Sequence, residues 1–371
     1  GSSLALRTGL DYTTLTRDAT RTRVMNKSGA TFPDRIWPNA VQAAAGGFAA
    51  LDVPLGATTT LTLDGRLDAV DSQARAADAP SLGDRTVREQ YVRFYGEDAA
   101  ETDRTETLGT AGLLLDGQFA TRHRWYLRTG LSSRAAGVTE RYYAFGPAPD
   151  GFAVGNPTLA PEKKWEGEAG VNLTGEKLSV SLSGFYARVT DYILPTVIAE
   201  MDVNGDGNED VVKGYENIEA TLGGGELGVE YRPTSTLFLP VTLSYVRGRN
   251  TSEDRDLPEI PPLSGTGEIR WLAHAGTATW LRGGAFFAAD QDRIDPLFPE
   301  NRTGGYAVWR LGVESVPLRG LSVRLWVDNL FDRLYHNHLT REALLPTGGL
   351  SAGQEIPAPG RSLNVSARME F

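Results

Sequence analysis

The stretch RSLNVSARMEF, residues 361–371, decides the fold. Side chains of an extended chain alternate between two faces. Leu363, Val365, Ala367, Met369 and Phe371 therefore share one side, and Ser362, Asn364, Ser366, Arg368 and Glu370 share the other. The last strand predicts a sheet with one apolar and one polar face, which suits a barrel with lipid outside and water or protein inside.

The rest of the composition is consistent with that expectation. Hydrophobic residues are only 40% of the 371. No apolar run approaches the roughly 20 residues that a membrane-crossing helix needs, so a helical membrane protein is excluded and a barrel is not. The 42 glycines and 20 prolines suit a chain with many turns. A net charge of -10 without a basic cluster argues against a nucleic-acid partner. Cysteine is absent, which removes disulfides, thiolate metal sites and a cysteine nucleophile.

Alternation and turn chemistry predict about fourteen strands. Long connections fall at roughly 17–41, 72–104, 135–160, 191–215, 249–262, 289–304 and 331–360. Short ones centre on 54–57, 120–122, 174–177, 232–236, 275–276 and 317–320. Strict long/short alternation is what an up-and-down meander produces when its two ends face different compartments. Individual strands agree: Leu178, Val180 and Leu182 oppose Ser179, Ser181 and Ser183, and Leu321, Val323, Leu325 and Val327 oppose Ser322, Arg324, Trp326 and Asp328. Trp125, Trp165, Trp271, Trp280 and Trp309 are expected near strand ends, where amphipathic rings favour a membrane boundary.

Four stretches carry a family resemblance. GNPTLAPEKKWEGEAGVNL (155–173), NIEATLGGGELGVEY (217–231), LWVDNLFDRLYHNHL (325–339) and the ending PGRSLNVSARMEF (359–371) resemble segments of TonB-dependent outer-membrane receptors, in that family's order. The closing aromatic matches the ending of bacterial outer-membrane barrels. The resemblance implies an integral outer-membrane barrel of 22 strands with an N-terminal plug, taking up a scarce metal ion or metal chelate such as a siderophore with the help of the TonB complex. Residues 1–371 are then expected to form the C-terminal portion of the barrel, with the plug and the TonB box outside them. A self-contained passive pore of about fourteen strands is the alternative. Within the family, VMNKSGATFPDRIWPNA (24–40) is similar to a segment of the copper receptors, which singles out Met25 as a ligand-binding residue. The only other methionines are Met201 and Met369, and Met369 is expected to face lipid, so soft ligands for copper(I) are few.

Two further constellations stand out. DVNGDGNED (202–210) places Asp202, Asn204, Asp206, Asn208 and Asp210 at alternate positions around glycines, as a short Ca²⁺ loop requires. The EF-hand form fails because its twelfth position is Lys213, and an ordinary Asx-rich turn has the same composition. His336 and His338, two apart, point the same way if locally extended, which makes them a pair of ligands for Zn²⁺ or Cu²⁺. His123 and His274 have no ligand-spaced neighbours. No G-x-S-x-G, H-E-x-x-H or phosphate loop occurs, so no enzyme activity and no required cofactor are expected.

Overall fold

The computed structural model describes residues 4–24, 31–82, 85–148, 151–203, 207–298, 300–340, 343, 348–351 and 353–370. Among these residues the chain builds one 17-stranded sheet. Three strands, Gly146–Ala148, Gly151–Ala153 and Arg255–Asp256, are only two or three residues long. The other fourteen make the wall: β1 Ala5–Val24, β2 Thr31–Pro54, β3 Thr59–Ala74, β4 Asp103–Ala120, β5 His123–Arg134, β6 Glu162–Thr174 and β7 Leu178–Met201, followed by β8 Asp210–Thr234, β9 Leu237–Asn250, β10 Ser264–His274, β11 Thr279–Ala288, β12 Tyr306–Leu318, β13 Leu321–Asp328 and β14 Ser362–Met369.

Each wall strand pairs antiparallel with the next in sequence, from β1–β2 to β13–β14. The fold is an up-and-down, barrel-like meander. Among the described residues β1 and β14 do not pair with each other, so the sheet is open at both edges.

Directly opposed residues share a face, and the register lines the apolar ones into rows. One row runs Leu363, Val327, Leu311, Gly283, Ile269 across β14 to β10, and the next runs Val365, Leu325, Val313, Leu281, Trp271, Leu237 as far as β9. Leu363, Val365, Leu311 and Ile269 are exposed, so among the described residues nothing covers them. A contiguous apolar band of this extent needs an apolar neighbour. Met369 lies opposite Leu321 on the same face, as expected. Trp165, Trp271 and Trp309 are likewise exposed there. Trp280 lies near a strand end as expected, but opposite Glu314 and edge-on to Phe238 (5.3 Å between centroids), on the polar face. Its position near a strand end was legible, but its face depends on register.

Two segments expected as loops are instead paired. β1 and β2 continue to Val24 and from Thr31, which pair with each other, and β7 and β8 remain paired out to Met201 and Asp210. A membrane strand needs only about 9–11 residues, whereas β7 has 24 and β8 has 25. The extra length forms ribbons beyond the apolar band. Polar alternation such as Thr20, Arg21, Thr22, Arg23 carries no hydrophobic signal, and the ladder is extended by the hairpin register already set below it.

A small core sits among these extensions and the connections 75–102 and 135–161. Helix α1, Val87–Tyr95, starts with a capping box between Thr86 and Glu89 and stops at Gly96, whose φ of 83° favours glycine. It packs Val87 and Tyr91 against Ala99, Ala144, Phe145, Val154 and Val212. Phe145 also meets Phe94 and Phe152 at 4.9 and 5.5 Å. Complete burial of such a side chain is worth about 1.5–3 kcal/mol, and several of them share this core.

Candidate functional site

The polar face of β10 to β13 carries the densest arrangement of functional groups. Glu268 on β10 is buried, with 6% of its side chain exposed, and accepts from Arg270, from Arg282 Nε at 2.8 Å and Nη2 at 3.2 Å, and faces Arg310 Nη2 at 3.9 Å. Arg270 and Arg282 stand directly opposite each other in the ladder. Like charges so placed repel, and the Glu268 carboxylate between them offsets this. Glu314 on β12 bonds Arg282 at 3.4 Å and Arg324 at 3.0 Å. Four arginines thus share two glutamates, and the cluster keeps an excess of positive charge.

Trp326 on β13 is the platform for this cluster. Arg282 and Arg310 bring their guanidinium carbons to 4.9 and 5.5 Å from its ring centroid. The ring lies over Gly312, where a Cβ would come within 2.3 Å of the indole. Arg310 faces Gly284, where a Cβ would stand 2.5 Å from the Gly267 carbonyl oxygen. Gly312 therefore leaves the space that the indole fills, and Gly284 allows the close approach of the β10 backbone beside Glu268. A groove of about 460 Å³ lined by Glu268, Phe286, Arg310, Asp328 and Tyr335 adjoins the cluster. A second, of about 420 Å³, continues past Phe286 and Thr266 to Tyr126 and Glu226. This surface can hold anionic groups and planar acceptors, because guanidinium presents several donors in one plane.

The predicted pair His336 and His338 lies in a connection after β13. Both line a cavity of about 40 Å³ with Glu259, Glu300, Thr303 and Glu355. His338 Nδ1 shares a 3.1 Å hydrogen bond with Thr303 Oγ1. Thr303 is placed by a two-way backbone bridge to the buried Gln291. Among the described residues His338 Nε2 has no hydrogen-bond partner, and it stands 3.8 Å from Glu300 Oε2. The Glu300 oxygens accept the backbone N–H groups of Glu259 (2.7 Å) and Asp295 (3.0 Å). His336 Nδ1 lies 3.2 Å from Glu355 Oε2. Burial holds the His338 pKa below its ordinary value, against the pull of Glu300, Glu259 and Glu355. Among the described residues no three such donors stand close enough to hold a metal ion as arranged.

The remaining candidates lie elsewhere in the chain. Met25 lies outside the described residues, as do Asn204 and Asp206 of the calcium-like loop. Of its other members, Asp202 accepts Gly207 N–H at 3.0 Å and Asp210 accepts Val203 N–H at 3.2 Å. Both carboxylates thus accept backbone N–H groups of their own segment. Asn208 is exposed. His123 and His274 each serve a short turn, accepting Thr174 N–H and Thr277 N–H.

The segment around 155–162 has a structural role. Asn156 Nδ2 donates to Tyr215 O and its Oδ1 accepts from Thr158, while Gly155 packs where a Cβ would stand 2.6 Å from Tyr143 N. Beneath it the fully buried Arg141 donates to Glu106 Oε1 (2.7 Å) and Leu159 O (3.0 Å). The arginine–tryptophan cluster is what sequence reading missed. The alternation of Arg324 and Trp326 on a polar face was visible, but which residues they meet depends on strand register.

The family model described as "TonB dependent receptor-like, beta-barrel" matches residues 1–330. The TonB-dependent heme receptor A of Haemophilus influenzae (strain ATCC 51907 / DSM 11121 / KW20 / Rd) is 28% identical over 192 residues, 46% of this chain and 23% of that protein. The solved structure of the copper transporter OprC superposes on 100% of this chain and 55% of its own, with a TM-score of 0.81 and 23% identity. The ferric yersiniabactin uptake receptor FyuA from Yersinia pestis does so with a TM-score of 0.68 and 14% identity, over 100% and 52%. The matched stretch covers about a quarter of that heme receptor, and the chain spans about half of each of the two solved chains.

Proposed function

Because the chain belongs to the TonB-dependent receptor family through its β-barrel domain, we propose that it forms the barrel wall of an outer-membrane uptake receptor for a metal ion or metal chelate. The observation that carries this reading is the match of the family model to residues 1–330, on a sheet whose apolar rows would meet lipid and whose opposite face is lined with charge. That polar face is then the lumen. Its arginine-rich cluster around Trp326 suits the carboxylates of a chelate or of a plug segment. TonB would supply energy through a plug domain. Names among the relatives include copper, heme and ferric siderophore, and all three are metal cargo.

A self-contained pore of fourteen strands fits less well, since β1 and β14 leave free edges among the described residues, and exposed edges in lipid leave backbone groups unbonded. The test is accumulation of metal or ferric siderophore by cells carrying the intact protein, with and without TonB. The expected result is uptake only when TonB is present. Steady open-channel current across a planar bilayer, with uptake indifferent to TonB, would overturn the proposal.

A further inference from the structure

The cavity at His338 is built in a way that calls for a cation. His338 is 1% exposed at its side chain and Glu300 is 9% exposed, so water does not solvate either freely. If Nδ1–H donates to Thr303 Oγ1, Nε2 turns a bare lone pair toward a carboxylate 3.8 Å away. In the other tautomer Nε2–H points at an oxygen beyond hydrogen-bond reach. Both arrangements leave a buried polar atom unsatisfied, which costs about 1–3 kcal/mol. A metal ion between the two groups removes the conflict.

We propose that His338 and Glu300 are the nucleus of a binding site for a divalent transition ion, zinc or copper(II), completed by His336 and Glu355. Two donors at the usual 2.0–2.2 Å from one tetrahedral ion stand about 3.3 Å apart, so His338 and Glu300 need close by only about half an ångström. His336 and Glu355 border the same cavity, whose volume of about 40 Å³ accommodates one ion or water. Thr303 fixes the ring orientation, the usual task of a partner behind a ligating histidine. Imidazole with carboxylate suits Zn²⁺ and Cu²⁺, not copper(I), which prefers sulfur, and not Ca²⁺, which prefers oxygen alone. The site deepens the uptake reading as a loop-level capture point, and it rests on that reading only for the fate of the ion.

The test is isothermal titration of the purified protein in detergent with Zn²⁺, Cu²⁺ and, as control, Ca²⁺. Expected are one tight equivalent of Zn²⁺ or Cu²⁺, none of Ca²⁺, and at least a tenfold loss of affinity in both His338→Gln and Glu300→Gln. Heat-modifiable migration in gels verifies that each variant is folded. Thr303→Val, which keeps all ligands, is expected to weaken binding by roughly tenfold. Wild-type binding no stronger than millimolar, or binding unchanged in folded His338→Gln and Glu300→Gln, overturns the site. Metal binding that persists without any TonB-dependent uptake would sink the uptake reading alone and leave the site standing.

Discussion

The indole of Trp326 rests on Gly312, so close that a Cβ at position 312 would stand 2.3 Å from its Cε3, and two guanidinium groups gather over the same ring. The seat of the tryptophan and the position of the charges are therefore one arrangement. Gly312→Ala must push the indole off the wall, with an overpacking cost of about 1–3 kcal/mol. It should lower the thermal midpoint and reduce uptake severalfold. Trp326→Leu keeps Gly312 and should lose mainly the cation–π contribution, about 0.5–2 kcal/mol. Thermal melting of both variants, with uptake measured beside it, checks the order.

Glu268 holds three arginines while Glu314 holds two. Glu268→Gln should therefore lower the unfolding midpoint more than Glu314→Gln, because it leaves Arg270 and Arg282 opposed with only Glu314, at 3.4 Å from Arg282, to offset them. Equal losses in a melting experiment would contradict the central place given to Glu268.

Arg141 is fully buried and Glu106 is 12% exposed. Arg141→Met strands the Glu106 carboxylate, at a cost of about 3–5 kcal/mol. The loop core should open while the wall stays folded, giving faster protease cleavage within 135–161 and unchanged heat-modifiable migration. Adding Glu106→Gln should restore much of the protection, since the uncompensated charge is then gone.

Burial pushes the Tyr142 phenol up to about 12 from its ordinary value of 10.0. The neutral form also donates to Ser72 O at 3.1 Å. A raised pKa in the folded state stabilises the loop core fully below pH 10, and that contribution is lost as pH rises through about 12. Tyrosinate absorbance and protease sensitivity of the loops should rise together in this window. In Tyr142→Phe the loops should show less of the alkaline transition. If absorbance rises with no loosening of the loops, Tyr142 does not couple to them.

The family and the wall were legible because they rest on local periodicity and short motifs. Period-two alternation in 361–371 marks which side chains share a face, whatever the neighbours are, and Leu363, Val365 and Met369 lie together on the apolar face. The rhythm of long and short connections likewise reflects the chain alone. Helix α1 and its core escaped notice because nine residues of helix inside a polar connection carry a weak signal, and its stability comes from Phe145, Val154 and Val212 far along the chain.

His336 and His338 could be paired from their spacing, but Thr303 and Glu300, which orient and oppose His338, belong to another connection. The same holds for Glu268, Arg282, Arg310 and Trp326, which come from four successive strands. The amino-acid sequence by itself determined a β wall with one apolar face and its membership of a receptor family, because alternation and motif are properties of neighbouring residues. Only the tertiary structure decided which charges meet, because a shift of one residue in register would move each of these side chains to the opposite face.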